Sequence, residues 1–155
     1  MKVSIIMGSV SDYDVMSGAE QILSAFGVAY EKKVISAHRT LDAMVEYIKG
    51  ARSRDVGVII AGAGGAAHLA GVAAGLTTLP VIAVPIRTQA LGGLDSLLSM
   101  VQMPTGIPVA TVAIGGAKNA AILSVEILAL QDDRLRDALE RYRKEQADKI
   151  LNTTI

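Results

Sequence analysis

The chain is 155 residues long, with 15 Lys+Arg balanced by 15 Asp+Glu, two histidines and no cysteine. A balanced surface has no net field to gather nucleic acid or an anionic membrane, and the missing thiols exclude disulfides, zinc–thiolate sites and cysteine nucleophiles. Half of the residues are apolar (51%) and 19% are charged, which excludes disorder and suits a single domain over 1–155 with a sizeable core.

Residues 3–7 read as a buried first strand. Ser11 is placed to cap the next helix, with Asp14 three residues on as a short capping box. That helix runs through Met16, Ala19, Ile22 and Leu23 to Phe26, where Gly27 stops it. Residues 28–34 form a second strand, and the alternation of Tyr30 with Glu31 and Lys33 puts it at a sheet edge. Thr40 is expected to cap a second helix with Met44, Tyr47 and Ile48 on one face. Residues 56–61 are a central, fully apolar strand, followed by a glycine-rich stretch and a short helix of small residues at 67–75. Residues 80–86 and 108–114 are the fourth and fifth strands, with an apolar helix at 94–103 between them. An apolar helix at 117–130 and a charged amphipathic helix at 132–150, with Leu135, Leu139 and Tyr142 on its buried stripe, complete the chain.

Strands alternating with helices predict an α/β fold, a doubly wound parallel sheet between helix layers. The opening run is too short for a signal peptide and meets Gly8 at once, and no segment approaches the roughly 20 apolar residues of a membrane span. A cytoplasmic protein is expected. Alanine and glycine supply much of the apolar fraction, so subunits can approach closely and a buried homo-oligomeric interface is expected.

In such a sheet, ligands bind beyond the carboxyl ends of the strands, near a topological switch point. Three unusual segments follow the first three strands: Gly8-Ser9-Val10-Ser11-Asp12, Ser36-Ala37-His38-Arg39-Thr40, and Gly62-Ala63-Gly64-Gly65-Ala66-Ala67-His68. If the strand order is the flavodoxin-like 2-1-3-4-5, all three lie side by side on one rim. The first segment suits either a turn with a helix cap or a phosphate and a ribose diol. The second sets His38 beside Arg39. Histidine as a residue type exchanges protons near neutral pH, and arginine is a permanent cation suited to a phosphate. A surface His-Arg pair with Thr40 as a cap is the other reading. The third is neither a complete dinucleotide fingerprint nor a Walker loop. It suits either close backbone packing or a flat ring facing backbone N–H groups. His68 is either a ligand-polarising group or a hydrogen-bonded structural histidine. Two histidines separated by a strand and a helix, without a nearby carboxylate pair, make a poor metal site. No serine shows a nucleophile elbow and no paired carboxylates argue for glycoside hydrolysis. One rim histidine suits proton transfer better than covalent catalysis.

The first two of these segments, and the third taken from Ala61 to Leu69, resemble the N5-carboxyaminoimidazole ribonucleotide mutase family, the catalytic subunit of phosphoribosylaminoimidazole carboxylase in older naming. So do the Asp95-Ser96-Leu97-Leu98-Ser99-Met100-Val101-Gln102-Met103-Pro104 and Lys118-Asn119-Ala120-Ala121 segments. The resemblance covers almost the whole chain apart from the last helix. It implies a flavodoxin-like three-layer domain assembled as a homo-octamer, with no metal or organic cofactor, acting on a small-molecule ribonucleotide. The implied reaction converts N5-carboxyaminoimidazole ribonucleotide to its C4-carboxylated isomer. It implies His38 as the catalytic acid and base, with Arg39, Ser9 and Ser11 on the phosphate and Asp12 on the ribose hydroxyls. Ser36, Gly64, Gly65, Ala66 and His68 would line the base and carboxylate pocket, which the 95–104 segment of a neighbouring subunit would help close. Leu41 and Ala70 stand where the family usually has proline, and Tyr13 where tryptophan is common, changes expected to loosen two loops. Other readings are a direct aminoimidazole ribonucleotide carboxylase, a non-catalytic nucleotide-phosphate sensor and a purely structural oligomer.

Overall fold

The computed structural model describes residues 1–154. Five parallel strands, β1 (Lys2–Met7), β2 (Tyr30–Val34), β3 (Val56–Gly64), β4 (Val81–Ile86) and β5 (Ala110–Thr111), lie in the order β2-β1-β3-β4-β5. The switch point falls at β1, between β2 and β3, as the flavodoxin-like order requires. Six helices flank the sheet: α1 (Tyr13–Ala25), α2 (Leu41–Lys49), α3 (Leu69–Leu76), α4 (Leu94–Val101), α5 (Ala117–Ala129) and α6 (Asp133–Leu151).

Strand alternation divides the core into two layers. Val3, Ile5 and Met7 of β1, Val58 and Ile60 of β3, and Ile82 and Val84 of β4 pack against α1, α5 and α6. Ile6, Ile59, Ala61, Ala63 and Ala83 face α2, α3 and α4, where Ala70, Ala73 and Ala74 of α3 meet them. Small residues on both sides bring α3 close to β3, directly behind the rim where β3 ends.

The edge strand β2 is held by a polar network. The Tyr47 hydroxyl of α2 donates to Glu31 at 2.7 Å and meets the fully buried Ser4 hydroxyl of β1 at 2.9 Å. Arg54 and Lys2 also reach the Glu31 carboxylate, at 3.0 and 2.7 Å. Burial pushes the Glu31 carboxyl up, but hydrogen bonds from Lys2, Tyr47 and Arg54 outweigh it and hold the group at about 2. This network anchors β2, and β2 leads into the His38 segment.

Several boundaries differ from the sequence reading. Ser9, not Ser11, is the cap, and it caps a 3₁₀ turn over Val10–Asp12 that precedes α1. Its Oγ accepts from the Ser11 N–H at 3.3 Å while the Asp12 carboxylate accepts from the Ser9 N–H at 3.0 Å, a reciprocal capping box one turn early. Thr40 makes no cap bond to α2; its hydroxyl accepts from the Ser36 N–H and donates to the Ser36 carbonyl, closing the His38 loop on itself. β3 extends into the glycine stretch, pairing Ala63 and Gly64 with Pro85 and Ile86. β5 is only two residues long, because Pro108 lacks an N–H and the chain turns away after Val112 N–H bonds the Ala83 carbonyl.

Candidate active site

At the carboxyl ends of β1, β2, β3 and β4 the rim encloses a cavity of about 380 Å³. Ser9, Ser11 and Asp12 line it from the first segment, Ser36, His38 and Arg39 from the second, and Gly64, Ala66 and His68 from the third. The structure therefore brings together nine of the ten site residues expected from the sequence. Gly65 is the exception: it does not line the cavity, because both of its peptide groups turn to α4.

Each segment presents its side chains for a local reason. The capping box turns the first segment tightly enough to keep Asp12 beside the cavity at only 7% exposure. Burial pushes the Asp12 carboxyl above its ordinary value, and backbone hydrogen bonds from Ser9 and Gly8 only partly oppose this. In the second segment, Ser36 Oγ accepts from the Arg39 backbone N–H at 3.2 Å and lies 3.4 Å from Arg39 Nε. Arg39 Nη2 donates to the Gly8 carbonyl at 3.1 Å, tying the first two loops together across the rim. No ion pair neutralises this guanidinium among the described residues, so its charge is available to a bound anion.

The third segment needs its glycines for two different reasons. A Cβ at Gly62 would fall inside the side chain of the fully buried Met16, so close packing alone demands glycine there. Gly65 has a φ of +71°, the left-handed region that glycine enters without a steric cost. The turn it makes sets His68 at the start of α3, with its ring over the cavity rim. His38 Nε2 and His68 Nδ1 are 2.9 Å apart and the rings meet edge to face at 83°. Sequence separation had kept these two histidines apart; the fold makes them a hydrogen-bonded pair. Among the described residues no three His, Cys, Asp or Glu side chains gather as a metal cluster.

Arg87, the first residue after β4, lines the same cavity on the side opposite Arg39 and was not foreseen. The rule that ligands sit beyond strand carboxyl ends reaches it once β4 is included. Ser96 and Ser99 of α4, which hold Gly65, were also missed as functional; their segment was noticed only through its resemblance. Leu41 and Ala70 fall in the first turns of α2 and α3, where N–H groups lack an intrahelical acceptor. Proline would forgo no helix hydrogen bond at either position, and α2 and α3 form with leucine and alanine there. Tyr13 takes a hydrogen bond from Lys32 Nζ at 3.1 Å and stacks beneath its ammonium. A larger cavity of about 870 Å³ lies at the other end of the sheet, around Thr77, Thr78 and Pro80, and contains neither histidine.

A five-stranded sheet whose switch-point rim carries a histidine pair and an arginine without an ion-pair partner among the described residues defines a small doubly wound α/β protein with a polar rim cavity. The AIR carboxylase family model matches residues 2–149, and the chain belongs to that family. It is 54% identical over 154 residues to the N5-carboxyaminoimidazole ribonucleotide mutase of Saccharolobus solfataricus, covering 99% of this chain and 98% of that one. The protein of the same name from Pyrococcus abyssi is 60% identical over 144 residues, covering 93% and 83% respectively. Among solved structures, the crystal structure of Treponema denticola PurE superposes with a TM-score of 0.89 at 33% identity, covering 96% of this chain and 93% of that one.

Proposed function

We propose that this chain is an isomerase of de novo purine biosynthesis that converts N5-carboxyaminoimidazole ribonucleotide to 4-carboxyaminoimidazole ribonucleotide. The observation that carries this reading is the His38–His68 pair at the mouth of a cavity whose other walls are hydroxyls, glycine backbone and arginine. The relatives at 54% and 60% identity carry the name of this reaction.

The reaction needs one group that gives a proton and then takes one. His38 protonates the carbamate nitrogen, the N–C bond breaks, and carbon dioxide is released into the cavity beside an electron-rich aminoimidazole ring. C4 of the ring attacks the carbon of carbon dioxide, forming the new C–C bond, and the imidazole removes the C4 proton to restore aromaticity. Histidine suits both steps near neutral pH. The contact to His68 orients the His38 ring, and walls that hold carbon dioxide near C4 favour recapture over escape.

Arg39, with Ser9 and Ser11, binds the phosphate, and Asp12 accepts from the ribose hydroxyls. Ser36, Gly64, Ala66 and His68 surround the base and carboxylate, and Arg87 supplies a second cation on that side. A homo-octamer in the cytoplasm belongs to the same reading. Leu94, Leu98 and Val101 form an exposed apolar stripe along α4 that supplies a face for a neighbouring subunit.

The test offers carboxylated and uncarboxylated ribonucleotide separately at low bicarbonate. The expected result is turnover of the carboxylated substrate; efficient use of the uncarboxylated one would replace this reading with direct carboxylation, the activity after which the family is described. His38→Asn is expected to bind ligand but lose about 10²–10⁴-fold in kcat. Retained turnover would refute the role of His38.

A further inference from the structure

Ser96 is fully buried, yet it is polar and sits in a helix that packs on the sheet. Its Oγ accepts from the Gly65 N–H at 2.9 Å and donates to the Ile86 carbonyl at 2.7 Å. One hydroxyl is both donor and acceptor, so it satisfies the half-buried Gly65 N–H and the Ile86 carbonyl together. One turn further, the Ser99 hydroxyl is 2.7 Å from the Asp95 carbonyl and 3.3 Å from the Gly65 carbonyl, which also accepts from the Ala67 N–H at 2.8 Å. The Gly65 N–H is therefore gripped by α4, at the one residue of the loop whose φ is positive. Its carbonyl lies beside the Ser99 hydroxyl, whose one proton serves either this carbonyl or that of Asp95.

We propose that Ser96 and Ser99 are positioning residues for the reaction, acting through Gly65 on the histidine pair; this rests on the function proposed above. The mechanical path is short. Gly65 is bonded to Ala66, the Ala66 carbonyl accepts from the His68 N–H at 2.9 Å, and His68 Nδ1 meets His38 Nε2 at 2.9 Å. The Ala66 N–H itself has no acceptor among the described residues and lies at the cavity. Gripping Gly65 from behind thus sets both a free amide donor and the partner of the proton-transfer ring. Without the Ser96 hydroxyl, the Gly65 N–H and the Ile86 carbonyl lose this partner and the turn relaxes to satisfy them elsewhere. Displacements of about 1 Å in a reacting constellation reduce rates by about a hundredfold.

The experiment uses protein labelled with ¹³C at histidine Cε1. With only two histidines in the chain, each ring gives one signal, assigned with His38→Asn. Ser96→Ala, Ser99→Ala and Ser99→Thr are compared with the parent by ring titration, by thermal melting and by the pH profiles of kcat and KM. The expected result for Ser96→Ala is a kcat lowered about ten- to a hundredfold with KM within about threefold, together with altered titration of both rings. Ser99→Ala shifts in the same direction, and Ser99→Thr, which keeps the hydroxyl, restores parental behaviour. Parental ring titrations and kcat profile in Ser96→Ala, whatever its melting temperature, overturn the proposal. If Ser96→Ala does not fold, the same criterion applies to Ser99→Ala. The ring titrations need no substrate, so a parent protein inactive on the ribonucleotide would refute the proposed function while the titrations still decide the positioning role.

Discussion

Replacing Glu31 by glutamine tests whether the polar network at the sheet edge stabilises the platform on which the His38 loop is built. The glutamine keeps the size and one acceptor oxygen but removes the charge that Lys2, Arg54 and Tyr47 converge on. The carboxyl stands at about 2 in the folded protein against 4.5 for an ordinary glutamate. At about 1.4 kcal/mol per pH unit this difference corresponds to about 3 kcal/mol. Solvent reaches 20% of the side chain, which lowers the figure to about 2 kcal/mol. Because the folded state holds this proton less tightly than the unfolded chain, the stabilisation is complete above about pH 5 and is lost as pH falls toward 2. Denaturant titrations of parent and Glu31→Gln at fixed protein concentration, repeated between pH 3 and 7, measure it. The variant is expected to be about 2 kcal/mol less stable at neutral pH, with the two curves converging in acid. Parallel curves would show that the network makes no ionisation-linked contribution, and the reasoning would fail.

Arg39→Ala removes the cation assigned to the phosphate and the tie to the Gly8 carbonyl. It is expected to raise KM at least about tenfold, the scale of a lost charge-assisted hydrogen bond, with a smaller change in kcat in steady-state assays. Gly62→Ala drives a methyl into Met16 and is expected to cost about 1–3 kcal/mol in thermal melts; unchanged stability would mean that Met16 repacks freely. Burial raises the Asp12 carboxyl, so its ionised form is held at a cost that grows as pH rises from 3.8 through the raised value. Asp12→Asn is therefore expected to raise the melting temperature at neutral pH while weakening ribonucleotide binding in calorimetric titrations. A variant both less stable and equally tight would contradict that assignment.

The three loops were legible because each departs from strand or helix composition at the point where a strand must end. Serine, aspartate, glycine and histidine there satisfy local backbone groups or permit unusual turns, and neighbours in sequence decide such effects. Even so, the capping residue moved from Ser11 to Ser9, since a 3₁₀ turn over Val10–Asp12 precedes α1 and the pattern of polar residues suits either start. The Thr40 hydroxyl was misread for the same reason: a serine four residues back competes with the helix for it.

By itself the sequence determined the alternation of strands and helices, the apolar faces of each, and the polar rim segments, because these follow from periodicity and from hydrogen bonds a few residues apart. Only the tertiary structure decided that His38 meets His68, that Gly65 turns away from the cavity toward Ser96 and Ser99, and that Arg87 faces the same space as Arg39. Those contacts join residues brought together by the pairing of β1 with β3 and β3 with β4 and by the close seating of α3 and α4 on the sheet. That geometry is set by packing across the whole core, which no local pattern records.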